Sequence, residues 1–181
     1  MLTLMLLALG VAVQDGSLTH VRGTEPKIVA LIQAGLSRSA TFRELVATLD
    51  QSDVIVYIEP KLTRSRLDGY LDHGVVSSAS YRYLRIALEY QWPAHRLLPI
   101  LAHELQHAVE VSNAPEARNA DGIMRILRDR YAATVCGAGC WETQAAQDVQ
   151  RVVDLELAAT DLRAAARTPG TFDWDGSGHT Q

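Results

Sequence analysis

Cysteine is scarce, with two residues in a chain of 181. That excludes the disulfide-dense scaffold of very small secreted domains. There is no long hydrophobic run: the most apolar stretch, Leu4 to Val13, is well short of the roughly 20 residues that span a bilayer. No stable membrane span is therefore expected. No basic block is dense either. Lys and Arg number 17 against 21 Asp and Glu, for a net charge of -4, and Arg125, Arg128 and Arg130 read as the solvated face of a helix. A nucleic-acid partner is not expected. There is no internal repeat, and no linker rich in proline or glycine divides the chain. What remains is 48% hydrophobic and 21% charged, a globular composition long enough for one core.

Residues 1–12 read as a candidate signal peptide, with Gly10 and Ala12 ahead of a cut near Val13 and an abrupt change to "QDGS". No Lys or Arg precedes the apolar segment, so a buried N-terminal helix is the alternative. Export to the periplasm or the exterior is the expectation, with residues 13–168 as a single domain and 169–181 as a loose polar tail. Export would let Cys136 and Cys140, in "CGAGCW", pair across a tight glycine loop; the spacing does not decide it.

The periodicities predict an α+β fold of two helices, a small antiparallel sheet, then three helices. "EPKIVALIQAGLSRS" has Pro26 in its first turn and Gly35 near its stop. "TFRELVATLDQ" carries Thr41 and Glu44 as a capping box. "DVIVYIEP" is β-branched and closed by Pro60, a strand. In the next segment Leu84, Ile86 and Leu88 alternate with Tyr83, Arg85 and Ala87, which predicts a hairpin with its turn near Ser77–Ser80. Pro99 suggests that the following helix is regular only from about Leu98. "DGIMRILRDRYAAT" is a further helix, and "ETQAAQDVQRVVDLELAATDLRAAA" a long alanine-rich amphipathic one.

The chemistry is concentrated in "LAHELQHAVEV", residues 101–111. His103 and His107 lie four apart, on one helix face, and can aim two imidazoles at one ion. Neutral imidazole suits Zn2+, which takes four ligands in a tetrahedron. Glu104 lies about 100° round the helix; it would flank such an ion as a general base. The plain alternative is a polar face on an ordinary helix. A third ligand is needed. The metzincin position for a third histidine holds Asn113, and Glu110 stands where its glycine would be. Glu110 is too far up the helix to reach the same ion, but it can hydrogen-bond His107 and fix its tautomer; otherwise it is a surface carboxylate. Glu142, in "WETQAA", can approach from another element, with Ala145 and Ala146 allowing close packing. Its alternative role is an acid favouring the helix dipole.

"HELQH" with a downstream E-x-x-A-A helix resembles the gluzincin type of zinc metallopeptidase. The resemblance covers the two helices around the site and the hairpin before them. It implies a zincin-like fold with His103, His107 and Glu142 as metal ligands and Glu104 activating the water. It also implies a peptide or protein substrate aligned on an upstream strand, for which Tyr81–Tyr90 is the expectation. One departure is Ala146, where that group often has an Asp. The resemblance selects no oxyanion-stabilising residue among Tyr131, His95, Tyr81 and Tyr83. The rival reading is a non-catalytic protein with a closed structural zinc site made by His103, His107, Cys136 and Cys140.

Overall fold

A computed structural model describes residues 19–61, 67–89, 91–137 and 140–167. The candidate signal peptide and the tail lie outside the described residues, as do the side chains of residues 136–140.

The chain enters as a short strand, β1 (Val21–Gly23), and turns into α1 (Pro26–Arg38). Pro26 sits in the first turn, where its missing N–H has no partner to lose. Helix α2 (Ala40–Asp50) follows after the single residue Ser39, whose hydroxyl accepts from the Phe42 amide at 2.9 Å. Ser39, not Thr41, is therefore the cap. Thr41 is engaged elsewhere: its amide and hydroxyl both bond the Glu156 carboxylate, which also accepts from the Ser39 hydroxyl at 2.5 Å. The two helices meet at Gly35, where a Cβ would lie 2.8 Å from the Phe42 ring.

Strands β2 (Val54–Pro60), β3 (Gly69–Ser77) and β4 (Arg82–Leu88) complete a sheet of order β1-β2-β4-β3. Only the expected hairpin is antiparallel; β1, β2 and β4 run parallel. The sheet is mixed rather than antiparallel because α1 and α2 form a crossover from β1 to β2, and β3 swings to the edge so that β4 can pair with β2. The β-branched run in β2 suits such an interior parallel strand. The alternation in β4 also places Arg82 in step with Leu84, Ile86 and Leu88, and it is buried as they are.

Helix α3 (Ala94–Ser112) crosses the centre, against the sheet, α1, α2, α4 (Ala120–Tyr131) and the long α5 (Gln144–Arg167). It is regular from Ala94, capped by Pro93, with Pro99 inside it. The first turn is exposed, which limits the cost of the one backbone bond that Pro99 removes. The carbonyls at and just beyond its C-terminal end are gathered by Arg82. Nη1 donates to Val111, Ala114 and Ala117 at 2.9, 2.8 and 3.2 Å, and Nη2 to Ser112 at 3.2 Å. The same guanidinium grips Asp53 through both carboxylate oxygens, at 2.8 and 2.6 Å.

Between α4 and α5 the chain forms a small separate hairpin, β5 (Thr134–Gly137) and β6 (Cys140–Glu142). A glycine loop was the expectation there. Helix α5 begins at Gln144 rather than at Glu142, and Thr143 caps it by accepting from the Ala146 amide at 3.1 Å. Nor is α5 cleanly amphipathic: Ala146, Val153 and Leu157 are buried, while Val152, Leu155 and Leu162 face solvent. One apolar core joins sheet and helices. Among the described residues no helix is long and apolar enough to cross a membrane.

Candidate metal centre

Because α3 is packed on nearly every side, its four polar residues at 103, 104, 107 and 110 are buried. A buried polar group needs a partner or a role. The ring nitrogens Nε2 of His103 and His107 face each other at 3.2 Å, with the rings edge to face. Glu142, on the last residue of β6, brings Oε2 to 3.5 Å from His103 Nε2. Two elements far apart in sequence thus bring His103, His107 and Glu142 together. The contacts are pairwise: no group of three or more His, Cys, Asp or Glu side chains among the described residues is drawn into a ready metal-holding cluster.

His107 is held from behind. Its Nδ1 lies 2.8 Å from Glu110 Oε2, and Oε1 of the same carboxylate accepts from the Thr143 hydroxyl at 2.6 Å. With Nδ1–H donating to Glu110, the Nε2 lone pair points into the site. Glu110 is 1% exposed, so it is no surface carboxylate. Thr143 therefore both caps α5 and anchors Glu110. It escaped the sequence reading, although Thr ahead of a helix is an ordinary cap signal. Tyr131, one of the four aromatic candidates, ties its hydroxyl to the Glu110 carbonyl at 3.2 Å.

The electrostatics differ across the three buried groups. Burial and the neighbouring His107 push the His103 pKa down, with Glu142 opposing. Its Nδ1 is buried without a partner. Burial also works against a proton on His107, but Glu110, Glu104 and Glu142 outweigh it and hold its pKa above the usual value. Burial pushes the Glu104 carboxyl up to about 7, although His107 and the Leu71 backbone amide pull the other way.

A cavity of about 40 Å3 lies where these groups meet, bounded by His73, His103, Glu104, His107, Trp141 and Glu142. Beside it opens a cleft of about 740 Å3 that shares His103, Glu104 and Glu142 and continues over Gly69, Ile100 and Gln150. His95 lines this cleft, whereas Tyr81 and Tyr83 line neither space. The strand beside the site is β3, which contributes Gly69, Tyr70, Leu71 and His73 to the small cavity. It is also an edge strand of the sheet. The expected strand, Tyr81–Tyr90, corresponds to β4, which is paired on both sides and has no edge to offer; Tyr90 is outside the described residues. Gly69 lets β3 approach α3, since a Cβ there would meet Ile100 at 2.8 Å. The rival ligand set depends on the Cys136 and Cys140 side chains, which are likewise outside the described residues. His73 was not singled out in the sequence.

Comparison of this chain with protein-family models, with curated proteins and with solved structures gave no match.

Proposed function

We propose that this protein is a zinc-dependent metallopeptidase in which His103, His107 and Glu142 hold the ion and Glu104 is the general base. The observation that carries the reading is His103 Nε2 standing 3.2 Å from His107 Nε2 and 3.5 Å from Glu142 Oε2, beside the buried carboxyl of Glu104. Nitrogen and oxygen ligands about 2.0–2.1 Å from a tetrahedral ion stand about 3.3 Å apart. The observed 3.2 and 3.5 Å separations are within a few tenths of an ångström of that. The donor chemistry agrees: two neutral imidazoles and one carboxylate are a common set for zinc with an open fourth position. Glu110, 2.8 Å from His107 Nδ1, favours the neutral tautomer that would present the Nε2 lone pair to an ion. A cavity of about 40 Å3 exceeds the ~10–15 Å3 that a water needs.

When bound, the ion would supply Lewis acidity, lowering the pKa of a water toward about 7 and polarising a carbonyl. Glu104 takes a proton from the attacking water and returns it to the leaving amine. A carboxylate beside the attacking water can do both. The large cleft would accommodate side chains, and β3, as an edge strand, would offer backbone groups to an extended peptide.

Glu104→Gln is the test. It is expected to retain bound zinc and to lose hydrolysis of a labelled casein. Undiminished turnover in that variant would remove Glu104 as the base.

A further inference from the structure

The edge strand departs from regular pairing at one place. Leu71 and Asp72 pair with Ile86 and Arg85, and pairing resumes only at Val76, opposite Tyr83. Residues 73–75 therefore stand opposite the single residue Leu84. A bulge of this kind re-aims side chains and is common beside active sites. This one is pinned. The Gly74 amide donates to Asp72 Oδ1 at 2.9 Å, and the other Asp72 oxygen accepts from the Arg85 guanidinium.

The bulge carries His73, a half-buried ring on the wall of the small cavity that also holds His103, Glu104, His107 and Glu142. No hydrogen bond among the described residues engages that ring. It shares the wall of that cavity with His103, Glu104, His107 and Glu142, and none of the roles assigned above uses it. Burial, chiefly, and the charge of His107 push its pKa down while Asp72 opposes, in keeping with a ring turned inward.

We propose that His73 is a catalytic residue, donating a hydrogen bond to the oxygen of the scissile carbonyl as negative charge develops on it. The assignment rests on the peptidase reading above. The water oxygen bonds to the carbonyl carbon, the π pair moves onto the carbonyl oxygen, and Glu104 receives the water's proton. The His73 N–H donates to that oxygen without surrendering its proton. When the C=O bond re-forms the C–N bond breaks, and the amine departs with the proton from Glu104.

The test uses the zinc-loaded full chain, as parent, His73→Ala and His73→Gln. Two probes of one peptide sequence are titrated calorimetrically: a phosphonamidate, whose tetrahedral oxygens imitate the developing oxyanion, and a thiol, which has no oxygen there. Zinc per chain is measured alongside. His73→Ala is expected to keep its zinc and its thiol affinity and to lose phosphonamidate affinity by about 100-fold, the scale of one removed oxyanion donor. His73→Gln, which keeps an N–H donor, is expected to recover part of that loss. Equal losses for both probes, or none, would overturn the assignment. Loss of zinc in His73→Ala would also overturn it by making His73 a ligand. A parent that holds zinc but binds neither probe would remove the peptidase reading and this assignment with it. A parent that binds both, with variants unchanged, would remove the assignment alone.

Discussion

Arg82→Met should be among the most damaging single changes outside the candidate site. Arg82 is 0% exposed, and its guanidinium makes six hydrogen bonds, two to Asp53 and four to carbonyls at and beyond the end of α3. Methionine replaces the aliphatic stem but not the guanidinium, so the buried packing of the stem is kept and the loss is mainly polar. Removing one partner of a buried ion pair costs about 3–5 kcal/mol. The Asp53 side chain is 33% exposed, so water would rehydrate it and reduce that part of the penalty. The carbonyls of Val111, Ala114 and Ala117 are buried with their residues, and each loses a charge-assisted donor at about 1 kcal/mol or more. The two corrections roughly cancel, leaving about 3–5 kcal/mol. At about 2–4 °C per kcal/mol for a chain of this size, Tm should fall by about 6–20 °C. Thermal unfolding followed by circular dichroism reads this directly. Asp53→Asn combined with Arg82→Met should cost clearly less than the sum of the single changes, because no carboxylate is then left unpaired. A fall in Tm below about 3 °C for Arg82→Met, or strict additivity, would refute the reasoning.

The remaining predictions concern other ties. The hydrogen bond from Arg82, first among its causes, holds the Asp53 pKa below 3.8. A carboxylate with a depressed folded pKa contributes stability that is present above its unfolded value and lost as pH falls through the folded one. Urea midpoints of the parent should therefore drop below about pH 4, and those of Asp53→Asn should drop less steeply. A parallel acid limb in the variant would contradict this. Gly35→Ala should destabilise: the better helix former gains about 1 kcal/mol, but its Cβ would press the fully buried Phe42 ring at 2.8 Å, costing about 1–3 kcal/mol. A raised urea midpoint would show that the ring can yield. Glu110→Gln should weaken zinc binding about 10- to 100-fold in chelator competition, since Glu110 orients His107; an unchanged Kd would leave Glu110 with only a packing role.

The site helix was legible because its information is local. Two histidines at one-turn spacing, with leucines around them, need only the helical period to be brought together. The β3–β4 hairpin was legible for the same reason, through alternation and a serine-rich turn. The mixed sheet was not, because strand order depends on pairings made across the whole chain, and β1 is too short to show a period. Thr41 fits the local capping pattern, yet Ser39 caps α2, and Glu156, more than a hundred residues away, binds both Ser39 and Thr41. Arg82 was not read from the sequence: it falls in step with Leu84, Ile86 and Leu88, but its charge argues for the surface, and only Asp53 and the carbonyls at and beyond the end of α3 reconcile the two. His73 gave no local signal, since a bulge is a property of the pair of strands and not of either one.

Zinc per chain, measured by elemental analysis in the parent and in Glu142→Ala after metal-replete purification, tests the central claim most directly. About one zinc in the parent, with a clear loss in the variant, is the predicted result for two histidines and a glutamate around one ion. Zinc undiminished in Glu142→Ala would contradict that ligand set, and no zinc in either would leave His103, Glu104 and His107 as the buried polar residues of an ordinary helix.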